Sequence, residues 1–103
     1  MAYELRYFFD PGSGICLWAS SEQAREKFGY PVDHWSLPLS ENTRRWLNYL
    51  IAWFDTSIDW SAPGNSNDRW TTEELERFRS ASRNGLALIR EELHRQDFVV
   101  LDS

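Results

Sequence analysis

The first apolar positions of the chain alternate. In YELRYFF, Tyr3, Leu5, Tyr7 and Phe9 fall on one side of an extended backbone, and Glu4, Arg6 and Phe8 on the other. That period of two predicts a strand. The stretch DPGSG, Asp10 to Gly14, breaks the pattern. Pro11 sets its own φ, and the two glycines permit positive φ, so a turn is expected. ICLWA follows as a second apolar run, and two short strands around this turn predict a β-hairpin.

The period then lengthens. Ser20-x-x-Gln23 has the form of a capping box and predicts a short helix opened by Ser20, closed at Gly29 and stopped by Pro31. YPVDHWSLPLS, with two prolines, predicts a surface loop with Trp35 and Leu37 tucked beneath it. Ser40 is a good N-cap for the next helix, and Glu41 suits its positive dipole end. From 46 to 54, Trp46, Leu47, Tyr49, Leu50, Ile51, Trp53 and Phe54 are apolar or aromatic. A one-faced helix needs about three such positions in seven. The segment from Arg44 to about Phe54 is therefore expected to be a central helix, buried on more than one side.

SAPGNSND, from Ser61, predicts a polar loop between Trp60 and Trp70. Thr71-x-x-Glu74 is a second capping box, opening the longest helix, to about Arg95. Its stripe is Leu75, Phe78, Ser82, Gly85, Leu86, Ile89 and Leu93, and the small Ser82 and Gly85 admit another backbone closely. Glu73–Arg77 and Glu91–Arg95 have the spacing of favourable helical pairs. DFVVLD closes the chain as a strand that can join the hairpin, since two strands alone are only marginally stable. The order β-β-α-α-α-β predicts one α+β domain over residues 1–103. Its small antiparallel sheet, the N-terminal hairpin plus the C-terminal strand, packs against about three helices.

Composition sharpens this picture. A chain of 103 residues holds one core and is too short for two. Six tryptophans, six phenylalanines and four tyrosines supply a small core with large buried areas, and some can serve an exposed binding patch. The net charge of −5 opposes a nucleic-acid partner and suits a cationic protein. Cys16 is the single cysteine, so no intrachain disulfide forms and no oxidising compartment is needed. MAYELRYFFD lacks the apolar stretch of a signal peptide. The run from Trp46 to Phe54 falls far short of the roughly 20 residues that span a bilayer, and Asn48 interrupts it. A cytoplasmic protein without membrane contact is expected.

Candidate chemistry is sparse. Cys16, His34 and His94 have no ligand spacing, and NSNDRW puts Trp70 where a calcium loop needs glycine, so neither metal nor cofactor is expected. There is no G-x-S-x-G elbow and no P-loop. Cys16, between Ile15 and Leu17, reads as a buried small hydrophobe rather than as part of a Cys16–His34–Asp33 set. His94 suits the negative end of the last helix, and Arg79, Arg83 and Arg90 read as a solvated stripe. No catalytic residue is assigned.

The acid pair Asp55 and Asp59 is more informative. If the helix reached that far they would share a face, repel, and sit near the negative dipole end. With Asp68 and the tryptophans around them they can form an acidic, aromatic surface for a basic protein. Asp55, Asp59, Trp60, Asp68 and Trp70 are the candidate partner-binding residues. The alternatives are a solvated helix end paired with Arg69, or a carboxylate pair of glycosidase type.

LPLS (Leu37 to Ser40), the tryptophan-rich helix after it, the tryptophan before a second acidic helix start, and REELHRQDFVV (Arg90 to Val100) resemble a group of small bacterial proteins. Those carry an LPLS-like helix start and end in E-L-G-x-x-[FY]-x-V. The resemblance covers roughly two-thirds of the chain. It departs at His94, where glycine is usual, and it implies no activity. In size and acidity the chain is also similar to immunity proteins, which neutralise a cognate toxin by binding it. The resulting expectation is a non-enzymatic binding module, an immunity-type inhibitor of a bacterial toxin. Two alternatives stand beside it: a small enzyme using carboxylates or Cys16–His34, and a structural protein whose aromatics bury in a homodimer.

Overall fold

The computed structural model describes residues 2–61 and 69–102. Asp68 and most of the loop expected before Trp70 lie outside them. The chain runs β1 (Tyr3–Tyr7), β2 (Leu17–Ala19), α1 (Glu22–Phe28), β3 (Pro31–Val32), a 3-10 turn (His34–Ser36), α2 (Glu41–Asp55), α3 (Thr72–Leu93) and β4 (Phe98–Asp102). It is an α+β fold, as expected.

Strands β1 and β2 form the expected hairpin, with Leu5 opposite Ala19, Arg6 opposite Trp18 and Tyr7 opposite Leu17. Gly12 and Gly14 carry positive φ in the turn. The sheet is not purely antiparallel, however. Its order is β3-β2-β1-β4, and β4 pairs parallel to β1. Topology explains this. Tyr7, at the end of β1, bonds Ser82 in α3, while Tyr3, at its start, bonds Asp97 just past α3. Helix α3 therefore runs back along β1, and the turn after it reverses the chain into β1's direction. Asp97 makes that reversal at φ 60, a left-handed conformation that aspartate tolerates better than most residues. The third strand, β3, falls where a loop was expected. It has two residues, and its Val32 pairs with Leu17.

The short helix α1 starts one residue later than its sequence predicts. Ser21 is the N-cap and accepts from Ala24 N–H; Ser20 Oγ instead donates to Glu4. Thr71 caps α3 as expected, and Ser40 caps α2. The Glu92 carboxylate also accepts from Ser40 N–H and from the Ser40 and Thr43 hydroxyls, tying the end of α3 to the start of α2. Partial burial pushes that carboxyl up, but the three hydrogen bonds outweigh it and hold it below the usual glutamate range. Glu73–Arg77 forms an ion pair; Glu91–Arg95 does not appear among the ion pairs of the described residues.

Leu5, Leu17, Val32, Leu37, Leu47, Leu50, Ile89 and Leu93 are fully buried. Gly85 brings α3 against α2, as its small size suggested: Leu50, Tyr7 and Leu47 lie within van der Waals reach of its missing Cβ. Helix α2 corrects one expectation. Only Thr43, Leu47 and Leu50 are buried, and Tyr49 is 58% exposed. Around that fully buried face Trp46, Ile51, Trp53 and Phe54 are half-buried and pack against the same core, while Tyr49 lies outside, stacked on Trp46 and tilted against Trp53. Trp53 meets Phe78 edge-on. In the loop before α2, Leu37 is buried as predicted, while Trp35 stays 40% exposed.

Candidate functional site

Helix α2 stops at Asp55 because its last carbonyls find other donors. The Thr56 hydroxyl donates to Trp53 O at 2.7 Å and the Ser57 hydroxyl to Phe54 O at 2.6 Å. These hydroxyls satisfy groups that a continuing helix would have paired. Ser57 and Ile58 are buried and pin the exit of the chain. Asp55 and Asp59 therefore do not share a helical face, and the repulsion expected from a four-residue helical spacing has no geometric basis.

Each carboxylate has its own local partner. Asp55 Oδ1 accepts from Gly12 N–H in the β1–β2 turn at 3.1 Å. Asp59 Oδ1 accepts from Ser61 N–H at 3.0 Å and from Ser61 Oγ at 2.6 Å. The Ser61 hydroxyl, the Ser61 N–H and the positive charge of Arg69 together hold the Asp59 carboxyl below its usual range. Trp60 lies over the same turn: a Cβ on Gly12 would stand 3.2 Å from the Trp60 ring. The glycine thus admits the indole, and Trp60 remains 55% exposed.

Trp70 has partners of its own at the helix end. Its indole N–H donates to Thr56 Oγ1 at 2.9 Å, and its ring packs on Phe78 and Trp53 with centroids 5.0 and 6.2 Å away. Arg69 N–H donates to Ser57 O, which fixes the start of this segment. The structure therefore joins Asp55 and Trp60 through Gly12. It sets Asp59 beside them in sequence, and it anchors Trp70 to the aromatic flank of α2. Asp68 is not described. Gly12, Thr56 and Tyr49 escaped the sequence pattern. The Thr56–Ser57 hydroxyl pair after an apolar run was the one local signal of the helix end.

The other candidates take structural places. Cys16 is buried, and burial pushes its thiol up to about 12. His34 is buried with Nε2 2.7 Å from Asn48 Oδ1, which also accepts from Trp35 Nε1, and Asp33 caps the 3-10 turn through Trp35 N–H. Asn48 thus interrupts the apolar run of α2 to serve this cluster. His94 Nδ1 lies 2.6 Å from Glu91 O at the end of α3. Arg90 Nε donates to Val100 O, while Arg79 and Arg83 are exposed. Among the described residues no cluster of three His, Cys, Asp or Glu side chains could hold a metal ion, and no helix is long and apolar enough to cross a membrane.

The model of the Serratia CdiI immunity protein-like family matches residues 4–101. The chain belongs to that family. The match spans the fold from β1 through β4 and includes the whole end of α2. The similarity to immunity proteins inferred from size and acidity therefore holds at the level of the family. No curated protein matches the chain.

Proposed function

We propose that this chain is a non-enzymatic immunity protein that binds and neutralises a cognate bacterial toxin in the cytoplasm. We propose further that the end of α2 is its recognition surface. Membership of an immunity-protein family over residues 4–101 is the observation that carries the first part. The inaccessible, strongly protonated Cys16 thiol and the structural hydrogen bonds of His34 and Asp33 favour binding over catalysis.

The surface consists of Asp55, Asp59, Trp60 and Trp70, with Asp68 next to them in sequence. Trp60 supports this part most: it is a large, exposed side chain that lies over the glycine bonded to Asp55 and follows Asp59 directly in sequence. A rigid aromatic offers contact area at little entropic cost, while the carboxylates steer a cationic partner toward it. The partner is a basic toxin domain.

The test is an association-rate measurement against the protein encoded beside this one, at several salt concentrations. Asp55→Asn with Asp59→Asn keeps the carbonyl acceptors that bond Gly12 and Ser61, so the fold persists. Slower association at low salt, converging with wild type at high salt, is expected. Equal rates at every salt concentration would remove the acidic surface from the account.

A further inference from the structure

A cleft of about 250 Å³ opens where the end of β1 meets β4, α3 and the end of α2. Tyr7, Phe8, Phe9, Phe54, Ser82 and Asp102 line it. Its aromatic walls are fixed. Phe9 packs on Phe54 with centroids 5.5 Å apart and 29° between planes. Tyr7 and Phe78 stand T-shaped to the Phe9 ring, at 5.4 and 5.2 Å. Phe8 is held from outside by Trp18, stacked at 4.8 Å.

The polar atoms of the lining have a definite sense. The Tyr7 hydroxyl donates its proton to Ser82 O at 2.9 Å, so the 3.2 Å contact between the two hydroxyls is a donation from Ser82 Oγ to Tyr7 Oη. Both hydroxyl protons are thereby spent. Burial keeps the Tyr7 hydroxyl protonated far above neutral pH; the Ser82 bond opposes that shift, and the Asp102 charge adds to it. The lining side chains still offer acceptors: hydroxyl lone pairs and the Asp102 carboxylate. Asp102 is exposed at the end of β4, and no ion pair among the described residues engages it. The surroundings do not cancel its charge. Phe9 and Phe54 run directly into Asp10 and Asp55. Arg79 and Arg83, on either side of Ser82 in α3, line a separate hollow together with Glu76, and Arg6 lines one over Trp18.

We infer that this cleft takes an arginine side chain of the protein partner. A guanidinium brings donors without acceptors, a positive charge, and a flat face that stacks on aromatic rings while its edge pairs with a carboxylate. An anionic group would meet acceptors alone. An apolar side chain would strip water from Asp102 without replacing its hydrogen bonds. The inference deepens the proposed toxin site and rests on the reading that a basic toxin docks at the end of α2, which Phe9 and Phe54 adjoin.

The test uses the ¹⁵N-labelled chain without toxin, at about 0.15 M salt, where long-range attraction to the acidic surface is screened. The probe is acetyl-Gly-Arg-Gly-amide, compared with acetyl-Gly-citrulline-Gly-amide, which keeps the shape and lacks the charge, and with acetyl-Gly-Lys-Gly-amide. Saturable shifts are expected at the amides of Phe9, Ser82 and Asp102, with the other two peptides binding more weakly. Asp102→Asn should weaken binding by about threefold, the scale of one exposed charge pair, and Asp102→Glu should retain most of it. Asp55→Asn with Asp59→Asn should leave these shifts in place. The proposal is overturned if the citrulline or lysine peptide binds as tightly as the arginine peptide, if Asp102→Asn binds like wild type, or if the shifts centre on Trp60. It is also overturned if none appear at about 50 mM peptide, where a Kd of about 10 mM would already give most of saturation. Because no toxin is present, failure here leaves the acidic surface of Asp55 and Asp59 standing, and failure of the association-rate test leaves peptide binding in the cleft standing.

Discussion

Gly85→Ala is the sharpest probe of how the two long helices meet. In an exposed helix this change would stabilise by about 1 kcal/mol, because alanine loses less backbone entropy than glycine. Here the new Cβ would stand 2.8 Å from Leu50 Cδ1, 3.0 Å from Tyr7 Oη and 3.6 Å from Leu47 Cδ2. None of these atoms retreats easily. Leu50 and Leu47 are fully buried, and the Tyr7 hydroxyl donates to Ser82 O at 2.9 Å. Overpacking of this kind costs about 1–3 kcal/mol, and two crowded neighbours, Leu50 and Tyr7, place it in the upper part of that range. After the propensity gain, a net loss of about 1–2 kcal/mol is expected. Urea denaturation followed by tryptophan fluorescence reads it as a lower midpoint with an unchanged slope. Thermal unfolding should show a fall of roughly 4–8 °C per kcal/mol. Asn84→Ala, at the neighbouring exposed position of α3, serves as the control and should stabilise by a few tenths of a kcal/mol. A Gly85→Ala protein as stable as wild type, or more so, would refute the close approach of α3 to α2 and β1.

Leu50→Ala should cost about 2–5 kcal/mol in the same denaturation assay; a loss below about 0.5 kcal/mol would place Leu50 outside the core. Glu92→Gln should destabilise by about 1 kcal/mol at neutral pH, a value reduced for the partial exposure of the site. Because Glu92's folded pKa is lowered, its contribution is complete above the ordinary glutamate range and fades as pH falls through the folded value. The difference between wild type and variant should close in acid, and a gap that stays constant with pH would argue against the staple. The Cys16 thiol should react slowly with a native-state probe at neutral pH, because it is buried and its pKa is raised; rapid labelling would contradict that placement.

The parts that local chemistry dictates were legible in the sequence. Alternation in YELRYFF announced β1, Thr71 with Glu74 announced the start of α3, and Gly85 announced a close helix contact. What escaped depends on the rest of the chain. Strand β3 has two residues, one of them proline, too few to show a period. The parallel entry of β4 follows from the path of α3 along the sheet, which no pattern within DFVVLD reveals. Ser20 and Ser21 are both competent caps; β1 sorts them, since the Ser20 hydroxyl donates to the Glu4 carboxylate while Ser21 Oγ accepts from both Glu4 N–H and Ala24 N–H. Helix α2 looked fully buried all round because hydrophobic counts do not distinguish side chains inside the core from aromatics half-buried at its edge. At the candidate site, the acidic and aromatic residue types were visible in advance. Their division between the Gly12 turn and the Thr56 hydroxyl was not, because both partners lie outside the pattern that drew attention to them.

The central claim is that this chain neutralises a toxin by binding it. Mixing the purified chain with the protein encoded beside it, while following complex formation by calorimetry and toxin activity in parallel, tests it directly. The account predicts a saturable complex, loss of toxin activity in step with its formation, and weaker binding by Trp60→Ala. A folded, active toxin that neither binds the chain nor loses activity in its excess would contradict it.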